Sequence, residues 1–317
     1  MRCFKHCFFF LLFVTTLYAN DFDKAVELYQ NKEYDKAIEL FEQLANEDNA
    51  NAQYNLSIIY KNGHGVQANE QESLYWLKKA AQLNNPTALN NLAYVYEHGL
   101  SGMQKDMKQA MSLYEKAANL GYAVAQFNTA MLYERFELDN EMLKKAFGWY
   151  EKAANNGFVA AQNNLARLYY FGLGVEKDLK QAFYWYNQAA KANDAVAQFN
   201  LALMYYKGEG VAKNYDKTLE LLEQSARLGN QFAQTQLADF YRSGELVQQS
   251  YEEAFFWYFE AAANEYAKAQ YYVGLFYYEG HGVEQDIEKG LFWMYKAQEN
   301  GYAFAKSFLE RASQQKK

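Results

Sequence analysis

The side chains best suited by type to acid–base or metal chemistry are three histidines, His64, His98 and His281. All three fall between helical stretches, far apart in the chain. None belongs to a His-Glu-x-x-His or other paired-ligand spacing. The two cysteines, Cys3 and Cys7, lie at the amino end, so no thiol nucleophile stands further along. Ser313-Gln-Gln-Lys316 matches Ser-x-x-Lys in form, but it sits in a polar tail without the motifs that accompany that pattern in enzymes. Gly63-His-Gly65-Val and Gly172-Leu-Gly174-Val recur in phase, as turns of a repeat rather than phosphate cradles. No metal or cofactor set emerges. What remains is non-covalent chemistry, carried by repeated amides and aromatic rings.

Residues 1–19 read as a secretory leader: Arg2 and Lys5, an apolar run from Phe8 to Leu17, and a small residue at Ala19. The run is half the length of about 20 residues that a membrane span needs. Both cysteines belong to this leader, so the mature chain is expected to hold no disulfide. The chain carries 31 basic and 38 acidic residues; losing Arg2 and Lys5 moves its net charge from −7 to −9. Without a basic tract, nucleic acid and anionic membranes are poor partners. The expected compartment is the periplasm or beyond.

The amides and rings are positioned by a repeat. Ala52, Ala88, Ala125, Ala161, Ala197, Ala233, Ala269 and Ala305 follow one another at 36 residues, with a single interval of 37, and a Tyr stands eight residues after each of the first seven. Within one unit, Ala161, Leu165, Ala166 and Leu168 share a helix face, and the glycines at 172 and 174 stop that helix. Asp178 suits the start of a second helix, which runs through Ala182, Trp185, Tyr186, Ala189 and Ala190 and ends at Asn193. A lone Pro in 317 residues agrees with an all-helical chain. Each hairpin must stack on its neighbours to cover its apolar face, giving one continuous solenoid.

The pattern Ala-Gln…Leu-Ala…Tyr…Gly-x-Gly-Val…Asp…Ala…Trp-Tyr…Ala-Ala in residues 161–194 resembles the Sel1-like repeat, a relative of the tetratricopeptide repeat. The resemblance covers seven units, at about 51–86, 87–122, 123–158, 159–194, 195–230, 231–266 and 267–302. It implies an all-α fold, an α/α solenoid wound as a right-handed superhelix. Residues 20–50 resemble a tetratricopeptide hairpin that caps the first end, and 303–317 form a capping helix with a polar tail. The third unit has Phe136-Glu-Leu-Asp139 where glycines are expected, and the sixth keeps only Gly244.

Counting from each anchor Ala, positions +4, +5 and +8 form the packing set, which leaves +2, +3, +6 and +9 for a groove lined by first helices. Position +3 carries Asn55, Asn91, Asn128, Asn164 and Asn200. Asn is a mediocre helix former, so its recurrence mid-helix needs a use. Its amide suits an extended peptide backbone, and it equally suits bonding between helices. The resemblance favours the first use, since tetratricopeptide repeats hold peptides through an equivalent Asn. Phe127, Asn163 and Phe199 occupy +2, Arg167 and Asp239 occupy +6, and Tyr170, Tyr206 and Arg242 occupy +9. With Asn91, Asn128, Asn164 and Asn200 they make up the candidate groove.

The expected function is an exported, monomeric, non-enzymatic scaffold without cofactor. Its groove would hold a peptide, a protein segment or a cell-envelope component such as peptidoglycan, with no lasting membrane anchor. The alternative is a periplasmic hydrolase of β-lactams or peptidoglycan, implied by likeness to cysteine-rich Sel1-like proteins. That family staples its repeats with disulfides, which this sequence lacks.

Overall fold

All eight anchor alanines are fully buried. A small side chain lets neighbouring helix backbones approach closely, and the requirement recurs once in every repeat. The computed structural model describes residues 21–135 and 139–314. The expected leader, the glycine-poor positions 136–138 and Lys316 lie outside them. The described residues form helices and no strands. None of these helices is long and apolar enough to cross a membrane.

The contacts gather the chain into two units, with the boundary between Asn156 and Gly157. The first unit holds α1 (residues 21–30), α2 (Tyr34–Asn46), α3 (Ala50–Asn62), α4 (Glu70–Gln82), α5 (Pro86–His98), α6 (Met107–Asn119), α7 (Ala123–Glu134) and α8 (Asn140–Asn155). The second holds α9 (Val159–Phe171), α10 (Leu179–Lys191), α11 (Ala195–Lys207), α12 (Tyr215–Arg227), α13 (Gln231–Ser243), α14 (Tyr251–Ala263), α15 (Ala267–Glu279), α16 (Ile287–Glu299) and α17 (Ala303–Gln314). From α3 onward, odd-numbered helices are the first of each hairpin and even-numbered helices the second. In the second unit one apolar core runs without interruption from Ala166 of α9 to Phe276 of α15.

Sequence-local chemistry sets the helix ends. Asp178 caps α10, its carboxylate accepting from the backbone of Lys180 and Gln181. Asn193 follows that helix with φ 60°. Pro86 opens α5 at its first turn, where its missing N–H costs nothing, behind the Asn85 cap. It begins a unit rather than closing one.

Two structural devices were not read from the sequence. The first is the Gln that follows most anchors. Gln53, Gln126, Gln198, Gln234 and Gln270 are buried, and each donates Nε2 to the carbonyl oxygen of an Ala eight residues earlier, at 2.9 to 3.4 Å. These carbonyls belong to the last turn of the preceding second helix, where no intrahelical donor is available. The second is a Tyr deep in the second helices. Tyr114, Tyr150, Tyr186 and Tyr258 are buried, whereas the tyrosines at +8, expected in the core, are only half-buried. The +8 ring reaches the side of the preceding second helix, so its hydroxyl can bond a carboxylate there, as Tyr60 does with Glu42 at 3.2 Å and Tyr133 with Glu115.

The second glycine of the inter-helix turn is demanded by contact as well as by conformation. Gly210 has φ +71°, and a Cβ there would lie 2.1 Å from the carbonyl oxygen of Leu179, the first residue of α10 in the preceding repeat. The sixth repeat holds the same turn with Leu246 at φ 64°. Gly121, with φ +86°, has nothing within 4 Å of a Cβ. Gly121→Ala is therefore expected to cost only the left-handed backbone penalty, about 1–2 kcal/mol. Gly210→Ala adds a backbone clash and should cost several times more. Urea unfolding of the two variants measures the difference.

Candidate functional site

In the first unit the candidate amides are occupied by one another. Asn91 donates to the Tyr54 hydroxyl at 3.1 Å and accepts from Asn90 at 3.2 Å, and Asn128 donates to Asn90 at 2.9 Å. One chain of hydrogen bonds thus links α3, α5 and α7. Phe127 is half-buried with its ring edge-on to Tyr150, centroids 5.7 Å apart. Tyr54, Asn90, Asn91 and Asn128 thus tie first helices together, while Phe127 packs on a second helix.

The second unit arranges the same register differently. Asn164 and Asn200 are half-buried and make no side-chain hydrogen bond among the described residues. Asn200 lines two cavities at once. One, of about 260 Å³, is formed by Tyr170, Phe171, Tyr186, Leu203, Met204 and Lys207. The other, of about 420 Å³, is formed by Val196, Phe199, Gly229, Asn230, Gln231 and Phe232. An amide with free donors and acceptor therefore stands between two largely apolar hollows. Asn163 turns its Oδ1 into the protein, where it is buried without a partner. Arg167 lies near Tyr186, where its charge opposes the strong upward pressure of burial on that phenol.

Rings continue from the second hollow. Phe232 packs on Phe199 at 6.1 Å and on Tyr266 at 5.4 Å, and Tyr302 packs on Tyr271 at 5.2 Å and on Phe304 at 5.5 Å. Phe232 is 49% and Phe304 66% exposed, too much for rings serving only the core. The sequence reading passed over Phe232, Tyr266, Tyr302 and Phe304 because they precede the anchors. The available signal was the recurrence of Tyr266 one repeat later as Tyr302, and of Phe232 two repeats later as Phe304.

Tyr170 and Tyr206, at +9, are engaged across repeats. Tyr170 donates to Glu209 at 2.6 Å and Tyr206 to Glu245 at 2.5 Å, each 39 residues away. Both glutamates fill the variable slot after the first turn glycine of the next repeat. The slot is thus a clasp. His64 uses it in the same way, sharing a 2.5 Å hydrogen bond with Tyr29 and stacking on Tyr34. His281 stacks on Tyr251. His98 lies in the last turn of α5 rather than in a loop, with Nδ1 at 3.1 Å from the Tyr94 carbonyl oxygen.

Asp239 and Arg242 meet the buried phenol of Tyr258. That hydroxyl donates to Asp239 at 2.5 Å and accepts from Arg242 Nε at 3.1 Å, while Lys268 reaches the other oxygen of Asp239 at 2.8 Å. Burial and the Asp239 charge together push the Tyr258 ionisation far above its ordinary range. The equivalent phenol of Tyr114 donates to Glu97 at 3.0 Å, and Arg135 pairs with that Glu at 2.7 Å. Lys268 and Tyr258 escaped the sequence reading because neither is at a groove position of its own repeat.

Comparison with known proteins settles the family. The model described as Sel1 repeat matches residues 29–49, 50–85, 86–122, 123–158, 159–194, 195–230, 231–266 and 267–302. The chain is a Sel1 repeat protein. The match reaches back over 29–49, into the segment read as a tetratricopeptide-like cap. The Sel1 repeat protein of Oxalobacter formigenes is similar over 94% of this chain and 90% of its own, with 28% identity and a TM-score of 0.74. The protective antigen c5321 of uropathogenic Escherichia coli is similar over 86% of this chain and 66% of its own, with 29% identity and a TM-score of 0.52. Chitin synthase regulatory factor 4 of Schizosaccharomyces pombe is 34% identical over 64 residues; the chain spans 10% of that protein's length. Sel1 repeat proteins are in general protein-interaction scaffolds. The hydrolase alternative gains no support: Ser313 donates to the carbonyl oxygen of Glu310 at 2.7 Å, in the last turn of α17.

Burial and the hydrogen bond to Glu209 push Tyr170 up to about 12, and Tyr133 beside Glu115 likewise to about 12. Both lie above the phenol's ordinary value of 10.0. The raised folded-state values favour the protonated form in the native protein. Their stabilisation is therefore complete below pH 10 and lost as pH rises through 12. Denaturant midpoints should fall between these limits, and Tyr170→Phe should remove part of the fall. A wild-type slope in the Phe variant contradicts the assignment.

Proposed function

We propose that the first helices of the second unit line a groove for an extended peptide or protein segment. The free amide of Asn200 between two hollows carries this reading. An extended backbone needs an amide partner at intervals, while its side chains alternate to either side and need somewhere to go. Asn164 supplies a second free amide one repeat earlier, and Phe199, Phe232 and Tyr266 offer rings along the same run. Tyr and Phe are efficient in this role, giving large contact area for few rotatable bonds.

The side chains of Asn164 and Asn200 make no hydrogen bond among the described residues, so replacing both with Ala should barely alter stability. Selection from a phage-displayed peptide library on the immobilised wild type should enrich binders whose affinity falls at least tenfold on the double variant, with Tm within about 2 °C. Undiminished binding removes the groove from these positions. The Asn91→Ala change is the contrasting control, since that amide ties helices and its loss should lower Tm by several degrees.

The scaffold is further proposed to work outside the cytoplasm, in the periplasm or beyond, after removal of residues 1–19. The support is the charged–apolar–small pattern of that segment. Expression of the full chain in a Gram-negative host should place a product beginning at Asn20 in the osmotic-shock fraction. A cytoplasmic product still carrying Met1 refutes export.

A further inference from the structure

The charged cluster on α13 and α15 deepens that reading, on which it rests, by selecting a class of ligand. Asp239 has two oxygens and both are taken, one by Tyr258 and one by Lys268. Arg242 sits beside it, but its Nη2 is 3.7 Å from Asp239 Oδ1, beyond a hydrogen bond. Its Nε is fixed on the Tyr258 hydroxyl at 3.1 Å, and its guanidinium lies over the Tyr272 ring at 5.1 Å. That ring is held in turn, stacked on Tyr258 at 4.7 Å with planes 10° apart. An arginine stacked on one face and tied at Nε has lost most of its rotamer freedom before a ligand arrives. Its terminal N–H groups bond no other side chain among the described residues, and its side chain is 39% exposed.

The neighbouring rings lead to a second arginine. Tyr272 contacts Tyr271 at 5.4 Å, and the Arg311 charge acts on the Tyr271 phenol. Arg311 is likewise anchored at Nε, on the Ser307 carbonyl oxygen at 3.2 Å, and is exposed with no ion-pair partner among the described residues. Arg242 and Lys268 thus flank Asp239 and the Arg311 charge acts on the adjoining Tyr271, while Glu279, the carboxylate acting on that phenol, is at 3.1 Å from His281. The patch is locally cationic on a chain whose net charge is −7. Distant acidic residues do not cancel it, since screening at physiological salt extends over about 8 Å.

We propose that this face receives an acidic peptide segment. The Arg242 fork takes a side-chain carboxylate of the ligand, Arg311 takes a second, and apolar ligand residues lie against Tyr271, Tyr302 and Phe304. A planar carboxylate matches the two parallel donors of the fork. A phosphate dianion matches the donors too, but it meets stronger repulsion from Asp239, which favours the carboxylate.

The test is fluorescence anisotropy of the purified protein with three fluorescein-labelled octapeptides. One alternates Glu with Tyr and Leu; the others carry Gln or phosphoserine in place of Glu. The Glu peptide is expected to bind at least tenfold more tightly than the Gln peptide and more tightly than the phosphoserine peptide, and to weaken as salt rises. Arg242→Gln should narrow the Glu/Gln difference below threefold, and Arg311→Gln, which disturbs no buried contact, should narrow it partly. Equal affinity of the Glu and Gln peptides overturns the acidic assignment and leaves the groove standing. Preference for phosphoserine overturns the choice of carboxylate. Binding of none of the three removes the groove reading itself, and this inference with it.

Discussion

A helical hairpin has more apolar surface than it can cover alone, and each repeat depends on the backbone-to-backbone approach that lets its neighbour cover the remainder. The fully buried anchor alanines leave room for neighbouring helix backbones to approach closely. The second turn glycine sets how closely a loop can sit over the start of the preceding second helix, with no room for a Cβ at Gly210. Once these two separations are fixed, longer side chains have little choice of partner. The buried Gln side chains reach carbonyls eight residues back, and the deep second-helix phenols reach acids on the first helix of their own hairpin.

This division of labour explains how one template yields two surfaces. In the first unit the groove register is filled by mutual bonding of Tyr54, Asn91, Asn90 and Asn128, which stiffens it and leaves few free polar groups. In the second unit the residues two after Ala161, Ala197, Ala233 and Ala269 are Asn163, Phe199, Thr235 and Tyr271, and among the described residues no equivalent chain of hydrogen bonds links Asn164 to Asn200. The difference arises at single positions. An Asn at +2, such as Asn90, can accept from an Asn at +3 of the next first helix; Asn163 holds the same register before Asn200, but its Oδ1 is turned into the protein and bonds nothing there. On one template the register is thus bonded in the first unit and leaves amides free in the second according to how single side chains are turned.

The fold was legible in the sequence because its determinants are periodic: a small residue, a Tyr and a glycine pair recurring every 36 positions survive scatter at any one of them. The sixth repeat shows the tolerance, with Leu246 in the left-handed conformation where its relatives have Gly. The candidate site was legible only in part. The register of the candidate side chains is periodic, but whether an amide there is free depends on a partner 37 to 39 residues away, which no local pattern records. Tyr170 and Tyr206 illustrate this, since their hydroxyls are claimed by Glu209 and Glu245 of the following turns. Lys268, which completes the Asp239 cluster, lies one residue before an anchor and follows no register of its own.

The clasps bear on how such a chain changes length. The ties described here either stay within a hairpin or reach the adjacent one, with partners 39 residues apart for the Tyr–Glu pairs. Duplication or loss of one 36-residue block therefore strands no partner, provided the block on one side ends with a +9 tyrosine and the next carries an acceptor in its turn slot. The slot acts as a joint whose chemistry must match but whose place in the series does not matter. A gene for this protein can thus lengthen or shorten the stack by whole-repeat copying, while point changes at +2 and +3 alter which amides are tied and which are free.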